Sequence, residues 1–293
     1  MSSERIAILG RGNRGSAIAR GLVSAGARTP EAITITRRFE PPLAALRDER
    51  FRTTTDNTAA VQNASVVVVA VRPKQMDDVL EGIASALDAK RHVLISTATD
   101  VQIADIRARV GEAIPILRAM PNIGVAVGEA MTCPTCERST PDRARDAATA
   151  IFSALGRTAF LDEDQMTPAP ALCACGIAFF LRAIRVASQG DVQVGFHADE
   201  AIRLAAQTAK GAAELILARD AHPESLIDTV TTPLGGHDCR SERDGASRVL
   251  LRADPRHRGV GRAGPALVRE EGRLIEPRTR SCTATPKLLG AAK

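Results

Sequence analysis

The residues best placed to do chemistry come early. Gly10-Arg11-Gly12-Asn13-Arg14-Gly15 follows a short apolar run, Arg5–Leu9, and opens a helical pattern over Ser16–Ala25. In a G-x-G-x-x-G turn between strand and helix, the first glycine makes the tight turn and the second lets backbone approach a pyrophosphate. The third lets the helix sit close on the strand, and the helix N-terminus offers free N–H groups to the anion. Gly10, Gly12, Asn13, Arg14 and Gly15 are therefore expected to bind a dinucleotide; the bland alternative is a glycine turn without a ligand. An NAD site places Asp or Glu about 20 residues further on, against the ribose 2′-hydroxyl. Here the second strand ends in Thr36-Arg37-Arg38. One hydroxyl and two guanidinium groups suit a 2′-phosphate, so the expected cofactor is NADPH, with NADH as the alternative. Read blandly, Arg37 and Arg38 are solvated turn residues.

The other polar groups suggest no second chemistry. Cys133-x-x-Cys136 and Cys173-x-Cys175 lack the matched spacing of a structural zinc site, so no metal is expected; reduced thiols in a cytoplasmic protein explain them better. His222-Pro223 reads as a helix start rather than a base. No nucleophile or acid–base pair stands out, and no catalytic side chain is assigned.

A glycine turn of this kind needs a parallel sheet behind it. β-branched runs at Arg5–Leu9, Ile33–Thr36, Ser65–Val71, His92–Ser96 and Ile116–Arg118 alternate with helical spacing at Ser16–Ala25, Asp77–Leu87 and Pro141–Leu155, the pattern of strands joined by crossover helices. Arg157–Phe160 reads as one more short strand. Val66-Val67-Val68-Val69 is apolar at successive positions, so that strand is expected at the centre with both faces covered. From about Asp162 the texture changes to Ala- and Leu-rich helices at Gly176–Gln189, Ala198–Ala218 and Pro223–Val230. The expected fold class is α/β: a Rossmann-type parallel-sheet domain over 1–162, then an all-helical domain over 163–235.

The 293-residue chain is 44% hydrophobic and 25% charged, an ordinary balance for a globular protein. No unbroken apolar run approaches ~18 residues and no signal-peptide pattern opens the chain, so neither a membrane partner nor export is expected. The net charge of +5 is unevenly placed: residues 1–235 carry 26 basic against 27 acidic side chains, residues 236–293 carry 13 against 7. With seven Phe and no Trp or Tyr there is little to stack on bases, and no nucleic-acid partner is expected.

Several stretches together resemble the pyrroline-5-carboxylate reductase family. They are Ile8–Ile18, Val69-Ala70-Val71-Arg72-Pro73-Lys74-Gln75-Met76, Leu117-Arg118-Ala119-Met120-Pro121-Asn122 with Val127-Gly128-Glu129, and Phe152–Thr158. Ala206-Gln207-Thr208, Gly211-Ala212-Ala213, His222-Pro223 and Val230-Thr231-Thr232-Pro233 follow in order, over about 235 residues. The resemblance implies hydride transfer from NADPH to 1-pyrroline-5-carboxylate, a cyclic imine carboxylate, giving L-proline, in a homo-oligomer formed through the helical domain. It further implies that Ala70, Val71, Arg72, Pro73, Met120, Pro121 and Asn122 line the nicotinamide half of the cofactor. Cys175, Gly176, Thr231 and Thr232 would then hold the substrate. A β-hydroxyacid dehydrogenase, the related alternative, needs a Lys early in the helical domain, where the only one, Lys210, comes too late. A non-catalytic NADP-binding module, or an inactive remnant of a reductase, is the reading from another class.

The chain departs from the family pattern twice. The loop usually reading Ser-Gly-Ser-Gly-Pro-Ala-Tyr is Cys173-Ala174-Cys175-Gly176-Ile177-Ala178-Phe179, and Pro168 and Pro170 stand where the family continues a helix. After Pro233 the family's Gly-rich turn and terminal helix are replaced by Leu234-Gly235-Gly236-His237-Asp238-Cys239-Arg240 and an Arg- and Pro-rich tail, expected to be disordered. Back-translating Leu234–Arg240 and deleting one base permits Leu-Gly-Ala-Thr-Ile-Ala-Gly, the family's own continuation. Residues 236–293 therefore read as out of frame, and a chain ending in them is expected to turn over weakly and dimerise poorly.

Overall fold

A computed structural model describes residues 4–40, 43–166, 168–193, 195–219 and 221–230. Its strands are β1 (Ile6–Leu9), β2 (Ile33–Thr36), β3 (Arg52–Thr54), β4 (Val66–Val69), β5 (Val93–Ser96), β6 (Ile116–Pro121), β7 (Ala130–Cys136) and β8 (Gly156–Thr158). Among the described residues they form one sheet in the order β3-β2-β1-β4-β5-β6-β7-β8. Helices α1 (Asn13–Ser24), α2 (Ala44–Asp48), α3 (Asn57–Gln62), α4 (Met76–Ile83), α5 (Ile103–Val110) and α6 (Asp142–Ser153) are interleaved with the strands. After β8 come α7 (Ile177–Gln193), α8 (Ala198–Arg219) and α9 (Pro223–Val230).

The apolar runs bury both faces of the sheet, because successive strand residues point to opposite sides. Ile6, Ile8, Ile33, Ile35, Val66, Val68 and Ile95 join α1 and α6 in one core, through Ile18, Leu22, Ile151 and Phe152. Ala7, Leu9, Val67, Val69 and Leu94 join α3, α4 and α5 in the other, through Val61, Leu80 and Ile106. The four valines of β4 are all buried, between β1 and β5 near the centre of the sheet.

The sheet is parallel as expected of a Rossmann-type domain, except at one pair: β6 and β7 run antiparallel. The connection from Asn122 to Glu129 is a short turn, with the 3-10 segment Ile123–Val127 and left-handed Gly128. Parallel pairing needs a crossover of a dozen residues or more, so a link this short returns the chain antiparallel. The strands β3 and β7 and the helices α2, α3 and α5 are additions to the sequence reading.

The helical stretch Ala171–Gln193 contains an 18-residue window of mean hydropathy 1.7, long and apolar enough to cross a membrane by length and composition. Arg182 and Arg185 interrupt the run in sequence, but two charges leave the average high. Little of it is buried, and α7 exposes Phe180 and Leu181 while packing along α8. The expected disordered tail lies outside the described residues.

Candidate functional site

The order of the sheet reverses between β1 and β4: the chain builds outward from β1 to β2 and β3, then returns to add β4 on its other side. In open α/β sheets this switch point opens a crevice at the carboxyl ends of the strands. The glycine turn sits there. Gly10, at φ +112°, accepts no side chain, since a Cβ would come within 2.8 Å of Ala70 O. A Cβ on Gly15 would stand 2.1 Å from Gly10 O, so α1 is drawn against the turn as only glycine permits. Gly12 has nothing within 4 Å of its Cβ direction, leaving its backbone open to an approaching group. No side chain caps α1 at Gly12, so its first-turn amides carry no internal side-chain acceptor. A cavity of about 320 Å³ beside the turn is lined by Arg11, Gly12, Asn13, Ser16, Arg20 and Ala126. Uncapped amides, an open glycine and nearby guanidinium groups fit a dinucleotide pyrophosphate.

Strand ends close the crevice. Ala70 N donates to Leu9 O at 2.8 Å, and Gly10 N donates to Thr36 O at 3.2 Å, so the turn is held between β2 and β4. Arg14 reaches across to donate through Nη1 to Thr97 O, just past β5. Partial withdrawal from water lowers its pKa from the ordinary guanidinium value. Ala70 and Val71 are half-buried, and Arg72 and Pro73 are exposed on the way to α4. Met120 and Pro121 are buried at the end of β6, followed by half-buried Asn122. The polar side chains gathered here, Asn13, Arg14, Thr97 and Asn122, are of types that could hydrogen-bond and orient a ligand; none is of a type that exchanges a proton near neutral pH.

Of the three residues matched to a 2′-phosphate, two are free for it. Thr36 is buried and its hydroxyl donates to Asn57 Oδ1 at 2.6 Å. Arg37 and Arg38 are exposed directly after β2.

The substrate residues are only partly described. Cys175 is exposed and Gly176 is buried, its Cβ direction blocked by Leu172 O at 2.0 Å. Thr231 and Thr232 lie outside the described residues. Asn122 binds this loop to the sheet: its Nδ2 donates to Cys173 O at 2.8 Å and its Oδ1 accepts from Gly124 N at 2.9 Å.

Sequence reasoning missed a second clasp. Buried Arg118 on β6 donates to Thr99 O at 2.6 Å and pairs with Glu163 Oε1 at 3.1 Å, which also accepts from Ile103 N at 2.9 Å. One carboxylate thus joins β6, the start of α5 and the segment leading to the helices. A charged residue inside the apolar run Ile116–Met120 was the available signal, because Arg is almost never fully buried unless paired. Thr97, which receives Arg14 through its carbonyl, left no such signal.

Comparisons with known proteins bear on the same residues. Residues 163–237 match the family described as pyrroline-5-carboxylate reductase dimerisation, and residues 5–100 match NADP oxidoreductase coenzyme F420-dependent. The chain is 44% identical over 241 residues to pyrroline-5-carboxylate reductase 1 of Dictyostelium discoideum, covering 78% of this chain but only 44% of that relative. It is 41% identical over 249 residues to pyrroline-5-carboxylate reductase 2 of the same organism, covering 80% and 83%. A solved pyrroline-5-carboxylate reductase from Coxiella burnetii superposes with a TM-score of 0.76 at 29% identity, covering 85% of this chain and 93% of that one. The Plasmodium falciparum pyrroline carboxylate reductase with NADP bound superposes with a TM-score of 0.73 at 23% identity, covering 85% and 94%; that likeness is one of fold.

Proposed function

The chain belongs to the pyrroline-5-carboxylate reductase family, and from that premise we propose that it reduces 1-pyrroline-5-carboxylate to L-proline with NADPH. The observation that carries this reading is the glycine turn at the sheet's switch point, where Gly15 leaves no room for a Cβ and Gly12 leaves its backbone open. NADPH supplies the hydride, from position 4 of its nicotinamide, to the carbon of the C=N bond. The chain's own contribution is placement. The first turn of α1 and Arg14 hold the pyrophosphate, and exposed Arg37 and Arg38 hold the 2′-phosphate. Ala70, Val71, Arg72, Pro73, Met120, Pro121 and Asn122 wall the nicotinamide half. Cys175, Gly176, Thr231 and Thr232 are assigned to the substrate by the family pattern. A protonated imine is already electrophilic, so alignment at ~3–3.5 Å does most of the work and no acid or base is required.

The same reading assigns residues 1–162 to cofactor binding and 163–235 to the substrate and to a homodimer. Exposed Phe180, Leu181, Ile202, Leu217 and Ile227 on α7, α8 and α9 are apolar surface that a second copy would cover. Free cysteines suit a cytoplasmic protein. For residues 236–293 we keep the reading of a shifted frame. Its supports are the change of charge there and a family match that stops at 237.

Titration with both nucleotides, followed by turnover of pyrroline-5-carboxylate, tests the proposal. Tight NADPH binding with proline formation supports it; NADPH binding with no turnover of any cyclic imine selects the non-catalytic module instead.

A further inference from the structure

Two of the described free thiols stand against each other. Cys133, in β7, is 1% exposed and sits in a small cluster with Met120 and Met166; Cys173 packs on that cluster from the five-residue π-type turn Pro170–Ala174. The Cys133 thiol donates to Cys173 Sγ at 3.4 Å. A disulfide S–S bond is about 2.0 Å, so bonding asks the sulfurs to close by roughly 1.4 Å, the scale of a side-chain rotation. The other two described cysteines are placed differently. Cys136, three residues along the strand, packs against the larger core on the opposite face of the sheet, and Cys175 is exposed.

We propose that Cys133 and Cys173 form an oxidisable dithiol, a modification site whose reversible disulfide pins the loop before α7 to the sheet beside Asn122. Cys173 carries the peptide carbonyl that Asn122 holds, so the cross-link fixes the loop where the reductase reading places the nicotinamide and the substrate. The effect on turnover rests on that reading; the cross-link itself does not.

A hydroperoxide is the oxidant. The half-buried Cys173 sulfur, as thiolate, attacks one peroxide oxygen; the O–O bond breaks, leaving a sulfenic acid on Cys173 and, with hydrogen peroxide, one water after proton uptake. The Cys133 sulfur then displaces hydroxide from the Cys173 sulfur as its own proton is lost, forming the S–S bond and a second water. Two thiols are oxidised by two electrons and one peroxide is reduced. Burial, with the neighbouring Cys173, pushes the Cys133 thiol up to about 12, which casts Cys133 as the resolving partner. A dithiol reductant reverses the reaction.

The test is to treat the full chain with hydrogen peroxide, block remaining thiols and digest with trypsin. Cleavage after Arg118, Arg138, Arg157 and Arg182 gives peptides 119–138 and 158–182, each holding two of the four described cysteines. The two peptides are expected to be joined in the unaltered chain, in Cys136→Ala and in Cys175→Ala, and to be separate in Cys133→Ala and Cys173→Ala. Turnover is expected to fall about tenfold, since misplacement on the ångström scale is costly. It should recover with dithiothreitol and be insensitive to peroxide in Cys133→Ala. Separate peptides in the oxidised unaltered chain, or a link through Cys136 or Cys175, overturn the site. A link with unchanged turnover overturns its effect on the enzyme. Because the link is read by mass, a failed reductase reading leaves it standing.

Discussion

At Gly15 one methyl group decides whether the turn closes. Its Cβ would meet Gly10 O at 2.1 Å, and overpacking of this kind costs about 1–3 kcal/mol. Gly15→Ala is therefore expected to weaken NADPH roughly 10- to 100-fold in a binding titration. In the proposed site, Arg37 and Arg38 act only on the 2′-phosphate, which NADH lacks. Replacing both by Ala should raise the KM for NADPH about tenfold or more, from the loss of charge-assisted bonds, and leave the KM for NADH unchanged. His92 gives a pH dependence of another kind. Its Nδ1 accepts from Asp88 N and its Nε2 faces Val61 O at 3.2 Å, which suits the neutral ring protonated on Nε2. Burial lowers its pKa from the ordinary 6.5. In acid the unfolded chain takes a proton that the fold refuses, so stability is full above the ordinary value and lost as pH falls towards the lowered one. Thermal unfolding from pH 7 to pH 5 should show a steeper loss in the unaltered chain than in His92→Gln.

At the scale of elements, the glycine turn was legible because an apolar strand, a spaced triplet of glycines and an amphipathic helix agree with one another. β7 was hidden by Pro134, a residue that argues against a strand. Its carbonyl, the backbone group it keeps, accepts from Leu161 N at 2.9 Å. β3 is three residues long and polar, with no pattern to read. α3 and α5 carried signals that the apolar runs overshadowed: Asp56 caps Thr58 N and Ala59 N, and Gln102 with Asp105 forms a capping box. The substrate side was less legible, because it depends on partners far apart in sequence, such as Asn122 with Cys173 and Arg118 with Glu163. Cutting the second clasp tests its weight. Arg118→Met removes the partner of half-exposed Glu163 and the donor to Thr99 O, and is expected to cost about 1 kcal/mol in denaturant unfolding, whereas a purely apolar role would leave stability nearly unchanged.

For the whole molecule, the net charge of +5 separates into a nearly neutral portion that matches a reductase family and a basic segment beyond it. Sequencing the coding DNA across codons 230–260 should reveal a single-base difference that restores the family's reading, and the restored chain is expected to dimerise and to turn over at least about tenfold faster. An unaltered frame with full turnover of the chain as it stands would contradict that. The most direct measurement follows the hydride itself. With pyrroline-5-carboxylate and NADPH carrying deuterium at nicotinamide position 4, one deuterium is expected on the proline carbon that had been doubly bonded to nitrogen, quickly in the restored chain and slowly in the present one. Nucleotide binding with no deuterium reaching proline in either chain would contradict the assignment.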